Sequence, residues 1–181
     1  IGGLATPLVP IQILWMNMVT DSAPALALGL EQAEPGVMQR KPRDATKAII
    51  DKAALKKMVA IGAIMAACTL GAFIFLSPKG EDYARTAAFT TIVLFQLFFA
   101  FASRSEKHGI SKLGVFSNKM LIYAFVASLA LQVIIVYYAP VAVLFKTVPL
   151  QATDFLLALA VSSLGFIIPE AYKQFGKQAA E

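Results

Sequence analysis

Long apolar runs dominate this sequence and decide what the chain can fold into. A helix needs roughly 20 apolar residues to cross the hydrocarbon core of a bilayer. With 58% hydrophobic residues, the chain supplies about five such runs, and they lack the alternation expected of strands in a membrane barrel. We therefore predict an all-α fold, a polytopic membrane helix bundle of about five transmembrane helices, forming one domain over residues 1–181. The predicted spans are approximately 8–30, 53–76, 86–102, 119–138 and 155–172.

The basic residues predict which side of the membrane each loop occupies. All but three of the 16 lysine and arginine residues lie in or beside loops 31–52 and 103–118 and in the tail; the three are Lys79, Arg85 and Lys146. By the positive-inside rule these two loops are cytoplasmic, which places the N-terminus outside and the C-terminus inside. The net charge of +5 does not indicate nucleic-acid binding, because the basic residues flank apolar spans. We expect the lipid bilayer as the surrounding partner.

Asp21 is the acidic residue that lies deep within a predicted span. A charged side chain at the bilayer centre costs about 2.5–3.5 kcal/mol on insertion scales, so such a residue usually serves a function. The alternative is a protonated or hydrogen-bonded structural aspartate. Asn17 and Thr20 precede it at helical spacing, so a regular helix would present all three side chains on one face. Their oxygens suit a hard cation, which takes roughly six to eight oxygen ligands, so further ligands must come from elsewhere.

Two more residues are candidates for the same site. Pro24 lacks an amide hydrogen, so in a helix it would release the carbonyl of Thr20 beside Asp21; a packing kink is the simpler alternative. Gln96 is a polar amide inside the aromatic third span. Its carbonyl oxygen would either ligate a cation or form an interhelical hydrogen bond, and these two readings remain open.

A long and specific pattern extends over residues 17–29, reading Asn-Met-Val-Thr-Asp-Ser-Ala-Pro-Ala-Leu-Ala-Leu-Gly. It closely resembles the sixth transmembrane helix of calcium-transporting P-type ATPases. The segment 38–43, Met-Gln-Arg-Lys-Pro-Arg, looks like the cytoplasmic stretch that follows that helix. The resemblance covers essentially the whole chain, as helices six to ten of that family's ten.

The resemblance implies a role for each candidate residue. Asn17, Thr20 and Asp21 would be metal ligands, and Gln96 falls where reticulum-type calcium pumps carry a glutamate ligand. A glutamine there resembles the plasma-membrane type of pump, which has one calcium site. Asn17, standing in place of an aspartate, disfavours a sodium/potassium pump.

The same resemblance implies what the chain does and what it needs. It would be the membrane part of an ATP-driven calcium efflux pump, with calcium as the transported ion and a plasma-membrane location. The phosphorylated Asp-Lys-Thr-Gly motif is absent from this sequence, so ATP and magnesium would bind only in cytoplasmic domains that this chain lacks. The missing helices and domains are then its expected partners, and a chain that begins with Ile1 is expected to be a fragment.

Two alternatives stay open. A freestanding membrane scaffold or regulatory protein would retain the cluster around Asp21 as a vestigial ion site. A pump of the same family for manganese or another cation is equally compatible, because oxygen ligands suit manganese as well as calcium.

Overall fold

The computed structural model describes residues 6–31, 52–105 and 109–178, and within these ranges every regular element is helical. The prediction of an all-α fold is therefore confirmed. A π-helical segment, Met16–Thr20, joins the first two helices, and a 3-10 turn, Ser77–Lys79, follows the third. The helices are α1 Pro10–Trp15, α2 Ser22–Gly29, α3 Lys52–Leu76, α4 Glu81–Ala102, α5 Ile110–Leu113, α6 Lys119–Tyr137, α7 Ala139–Phe145, α8 Ala152–Ser162 and α9 Leu164–Gln178.

Four stretches of the described chain are long and apolar enough, by length and composition, to cross a membrane. They are Ala54–Lys79, Glu81–Ala102, Lys119–Tyr137 and Ala152–Gln174, and each overlaps one of the second to fifth predicted spans. The first predicted span, 8–30, is helical through most of its length but is broken around Asp21. Most of the predicted loop 31–52, including the segment 38–43, lies outside the described residues.

Helix α4 is the centre of the bundle. It packs against α3, α6, α8 and α9 and also contacts α2 and the π-helical segment. In an apolar stretch of 18 residues within α4, 72% of the residues are buried, whereas the fraction is 17% to 33% in the corresponding stretches of the other three candidate spans. The outer helices therefore leave apolar side chains exposed, as helices that face lipid do. The largest core cluster joins α4 to its neighbours through Met16, Phe89, Val93, Leu97, Ile135 and Phe145.

The last span approaches α4 closely at one glycine. A Cβ atom added to Gly165 would lie 2.8 Å from the carbonyl oxygen of Phe95, so only glycine fits without a backbone shift. One turn away, the Ser162 hydroxyl donates a hydrogen bond of 2.8 Å to the Thr91 carbonyl. This crossing fixes α4 in the region of Phe95, immediately before Gln96.

The buried carboxylate of Asp154 links three helices at the end of the bundle that we predict to be extracytoplasmic. It lies 2.7 Å from the Lys79 ammonium group and accepts a short hydrogen bond from the Tyr83 hydroxyl. The Tyr83 oxygen in turn accepts from the Gln151 amide at 2.8 Å. The start of α8 is thereby held against the end of α3 and the start of α4.

Candidate ion site

The candidate ion site begins where the first helix widens into a π turn. The Asp21 amide donates to the carbonyl of Met16, five residues back, at 2.9 Å. Two hydroxyls also bond to this turn, from Thr20 to the Met16 carbonyl at 3.1 Å and from Ser22 to the Asn17 carbonyl at 3.0 Å. Single π turns inside α-helices occur frequently at functional sites.

Pro24 leaves a backbone oxygen beside Asp21 without its helical partner. A proline has no amide hydrogen to donate to the residue four positions earlier, which here is Thr20. The next amide, that of Ala25, donates to the Asp21 carbonyl at 3.1 Å. The Thr20 carbonyl oxygen therefore receives no hydrogen bond from the first turn of α2.

A groove of 390 Å³ brings three of the four predicted ligands together. Thr20 and Asp21 line it from the broken helix, and Gln96 lines it from α4. The rest of the wall is mostly apolar and comes from α2, α3 and α4; its residues are Pro24, Ala25, Leu28, Met58, Ile61, Gly62, Met65, Phe95, Phe99, Ala100 and Ser103.

The amide oxygen of Gln96 is buried and has no hydrogen-bond partner within the described part of the chain. Leaving a buried acceptor unsatisfied costs about 1–3 kcal/mol. Such an oxygen, on a residue that lines a groove together with Asp21, has the chemistry to ligate a cation or to accept a hydrogen bond. No group of three or more His, Cys, Asp or Glu side chains suited to a metal occurs in the described ranges, so a site here depends on amide, hydroxyl and backbone oxygens beside Asp21.

Asn17, the fourth predicted ligand, does not line the groove. Its side chain is exposed, whereas Thr20 is buried and Asp21 is half-buried. The expectation that these three share one face assumed a regular α-helix. The wider π turn separates them: the Thr20 hydroxyl faces the Met16 carbonyl, and the Asn17 side chain lies toward the surface of the described bundle.

Gln12 positions the outer half of the broken helix and was missed by the sequence reasoning. Its side chain is fully buried; the amide group donates to the Phe145 carbonyl and the amide oxygen accepts from the Val9 amide, both at 3.1 Å. A polar residue within a predicted apolar span was the available signal.

Arg104 holds the inner half of the same helix. The Arg104 side chain is 1% exposed, and its guanidinium donates to both carboxylate oxygens of Glu31 at 2.7 and 2.8 Å. Asn118 donates to Glu31 at 2.8 Å and to the Ala27 carbonyl at 2.9 Å. The hydrogen bonds from Arg104 are the main cause of a lowered pKa for Glu31. The end of α2 is thus fixed to the loop between α4 and α6.

Four apolar helices of membrane-spanning length, one of them enclosed by the others, define the class of integral membrane proteins. Within that class, the chain belongs to the family described as "Cation transporting ATPase, C-terminus", whose model matches residues 5–175. This confirms the family that residues 17–29 resemble.

Several curated relatives carry the name of calcium-transporting ATPase. The chain is 40% identical to such a protein from Bacillus subtilis over 89% of its own length. It is 35% identical to calcium-transporting ATPase type 2C member 2 of Mus musculus over 96% of its length, and 35% identical to calcium-transporting ATPase 1 of Saccharomyces cerevisiae over 98%. It spans only 18% to 19% of the length of these relatives.

Proposed function

We propose that this chain is the membrane part of an ATP-driven cation pump and contributes part of its intramembrane ion site, with calcium as the transported ion. One observation carries the proposal. Asp21 and Gln96 line one groove at a helix break, and the buried amide oxygen of Gln96 has no hydrogen-bond partner among the described residues. The printed names of the relatives support calcium as the ion.

In this proposal the ligands are Asp21, the amide oxygen of Gln96, and Thr20 through its released carbonyl, with Asn17 as a fourth. Asp21 supplies the negative charge and the others supply neutral oxygens. Calcium takes roughly six to eight oxygens, so these four leave positions for water and for residues outside the described ranges. The exposed side of Asn17 is where ligands from other helices of a longer protein would meet it.

The energy source would lie in the rest of the pump. ATP and magnesium would bind in cytoplasmic domains, and phosphorylation there would change access to Asp21. The charge distribution supports a cytoplasmic C-terminus and an extracytoplasmic N-terminus. Export from the cytoplasm, with the plasma membrane as the expected location, is what the resemblance to calcium pumps implies.

The test is cation-dependent phosphorylation by ATP, measured on the full-length protein in membranes. Asp21→Asn is expected to abolish calcium-dependent phosphorylation at unchanged expression, whereas the exposed carboxylate of Asp82 provides the control variant Asp82→Asn. Wild-type calcium dependence in Asp21→Asn would overturn the site. Phosphorylation that responds to manganese and not to calcium would overturn the choice of ion.

A matched pair of glutamines tests the contribution of α4. Gln96→Ala is expected to raise the calcium concentration for half-maximal phosphorylation by about tenfold, which corresponds to about 1.4 kcal/mol. Gln132 is also buried, and its amide oxygen likewise has no partner among the described residues. Its amide group, however, donates to Thr90 at 3.3 Å, and it does not line the groove. Gln132→Ala should leave the calcium concentration unchanged; an equal shift in both variants would indicate a general loss of structure.

A further inference from the structure

The turn at residues 114–117, which precedes α6, exposes two apolar side chains. Val115 is 45% exposed and Phe116 is 76% exposed. Gly114 begins the turn with a φ of +81°, a backbone conformation that glycine adopts readily. Among the residues that the structure describes, most of the Phe116 side chain is left uncovered, which makes the turn a candidate for contact with lipid.

The exposed face of α6 continues directly from this turn. Met120, Tyr123 and Val126 are 51%, 65% and 57% exposed and follow one another at intervals of three residues on one side of the helix. The opposite side of α6, with Leu121, is buried in the bundle. Phe116 therefore lies three residues before a helix whose exposed apolar face a bilayer would cover.

The length of α6 sets the depth of the turn. Its 19 residues span about 28 Å at a rise of 1.5 Å per residue, close to the roughly 30 Å of the hydrocarbon core. Both ends of α6 then lie at the two boundaries of the core. Phe116, which precedes Lys119 by three residues, falls at the level of the lipid headgroups.

Two exposed lysines, Lys112 and Lys119, flank the turn. Neither has an ion-pair partner among the residues that the structure describes. Lysines without an ion-pair partner beside an apolar membrane face are suited to anionic headgroups, which attract basic side chains near the surface.

The buried guanidinium of Arg104 holds the turn in place. It donates to the Gly114 carbonyl at 2.9 Å and to the Ser117 hydroxyl, while pairing with Glu31. The Ser117 hydroxyl donates back to the Gly114 carbonyl at 2.8 Å. Since the backbone is fixed from the inside, Val115 and Phe116 are presented outward at little entropic cost on insertion.

We propose that residues 114–117 form a membrane-interface anchor. Val115 and Phe116 insert at the boundary between headgroups and acyl chains, and Lys112 and Lys119 contact anionic headgroups. Through Arg104 and Glu31 the anchor also ties the end of α2 to the membrane surface. The proposal rests on the embedding of α6 in a bilayer and does not depend on the ion site.

Depth measurements with spin labels test the anchor. A label is attached at Phe116→Cys or, as the deep reference, at Val126→Cys, in full-length protein in lipid nanodiscs with Cys68 and other reactive cysteines removed. Accessibility to oxygen, which concentrates in the bilayer, is compared with accessibility to a water-soluble nickel complex. We expect the Phe116 label at the boundary, shallower than the Val126 label by about 10 Å, the rise from Lys119 to Val126 along the helix.

Two results would overturn the anchor. High nickel and low oxygen accessibility at Phe116 would place the turn in water, and protection from both reagents would mean that protein covers it. The lysines are tested by adding anionic lipid to zwitterionic nanodiscs, which should lower nickel accessibility at the Phe116 label. That response should be lost in Lys112→Gln/Lys119→Gln and kept in the control Lys146→Gln; its persistence in the double variant would remove the lysines from the anchor.

Discussion

The absence of a side chain at Gly165 lets the last span approach α4 at Phe95, the residue before Gln96. The Gly165 backbone lies against the Phe95 carbonyl so closely that a Cβ atom would be 2.8 Å away, and the Phe95 ring carbons would be 3.0 and 3.1 Å away. Gln96 follows immediately along α4. The packing of the last span therefore helps to set where the proposed ligand lies.

We predict that Gly165→Ala destabilises the protein by about 1–3 kcal/mol, the usual range for forcing extra volume into a packed site. The measurement is thermal unfolding in detergent or nanodiscs. The control is Gly71→Ala, another glycine inside a helix, where an added Cβ meets nothing within 4 Å. If the two variants unfold at the same temperature, the close contact does not constrain the bundle.

The ion pair between Arg104 and Glu31 makes a second residue-scale prediction. Removing one partner of a buried pair typically costs about 3–5 kcal/mol. We expect Glu31→Gln to approach the lower end, because Arg104 keeps its bonds to Gly114 and Ser117. The control is Glu81→Gln, which breaks the ion pair between Glu81 and Arg85. Because the Glu81 side chain is 58% exposed, this substitution should lower the free energy of unfolding by no more than about 1 kcal/mol.

The stability difference between wild type and Glu31→Gln should depend on pH, because the pKa of Glu31 is lowered in the folded protein. A carboxylate whose folded pKa lies below its unfolded value stabilises fully above the unfolded value, about 4.3 for glutamate, and less as pH falls through the folded value. The stability gap between wild type and Glu31→Gln should therefore shrink on acidification. Thermal unfolding between neutral pH and about pH 3 measures it; a gap that stays constant would contradict the ion-pair account.

The sequence was informative about single residues only where burial could be inferred from neighbours. Asp21 stood out because apolar residues surround it on both sides, and Gln96 because of its aromatic surroundings. Arg104 gave no such signal, since it lies at the end of an apolar run where basic residues are common. Its partner Glu31 is 73 positions away, and that separation becomes a contact only in the folded bundle.

At the scale of elements, the break in the first helix leaves a backbone oxygen without a helical partner beside Asp21. The π turn and Pro24 together leave the Thr20 carbonyl without a helical donor beside Asp21. Non-helical backbone at membrane depth is tolerated where it lines a cavity or is buried in protein. The groove along Thr20, Asp21 and Gln96 provides such a cavity.

We predict that Pro24→Ala raises thermal stability or leaves it unchanged and weakens calcium binding. Alanine restores an amide that can bond to the Thr20 carbonyl, which removes that oxygen from the proposed site. The measurement is thermal unfolding together with the calcium dependence of phosphorylation in the full-length protein. Pro169→Ala, at a proline inside α9, is the control and should leave the calcium dependence unchanged. Unaltered calcium dependence in Pro24→Ala would exclude the Thr20 carbonyl as a ligand.

Spans were more predictable than the breaks inside them. Apolar length located α3, α4 and α6 to within a few residues, except that α4 begins at Glu81, before the predicted start at Thr86. The first turn of α4 contains Glu81 and Asp82, and a prediction from apolar length assigns such charged residues to a loop. Acidic residues nevertheless stabilise the first turn of a helix. The π turn and the separation of α8 from α9 at Ser163 lie inside long spans that are apolar over most of their length. A local change in hydrogen-bond register there is not visible in the periodicity of apolar residues.

At the scale of the whole molecule, burial distinguishes the inner helix from the outer helices, and charge distinguishes the loops predicted on the two sides of the membrane. Helix α4 is enclosed by its neighbours, while the outer helices leave large apolar side chains exposed, among them Phe75, Tyr123 and Leu156. Along the sequence, basic residues concentrate in and beside the loops and the tail that we predict to be cytoplasmic. We therefore expect burial to distinguish protein from lipid across the bundle, and charge to distinguish the two faces of the membrane along the spans.

This arrangement predicts a specific orientation. Ser77, after α3, should lie outside the cell, and Ser111, in α5, should lie inside; both are exposed, and serine to cysteine is a conservative change. With Cys68 and other reactive cysteines removed, a membrane-impermeant thiol reagent should label Ser77→Cys on intact cells and label Ser111→Cys only after permeabilisation. The reverse pattern would overturn the predicted topology. Labelling of both variants on intact cells would place both sites on the outer side of the membrane. Because α4 is the one long helix between them in the described chain, that result would mean that α4 does not span the bilayer.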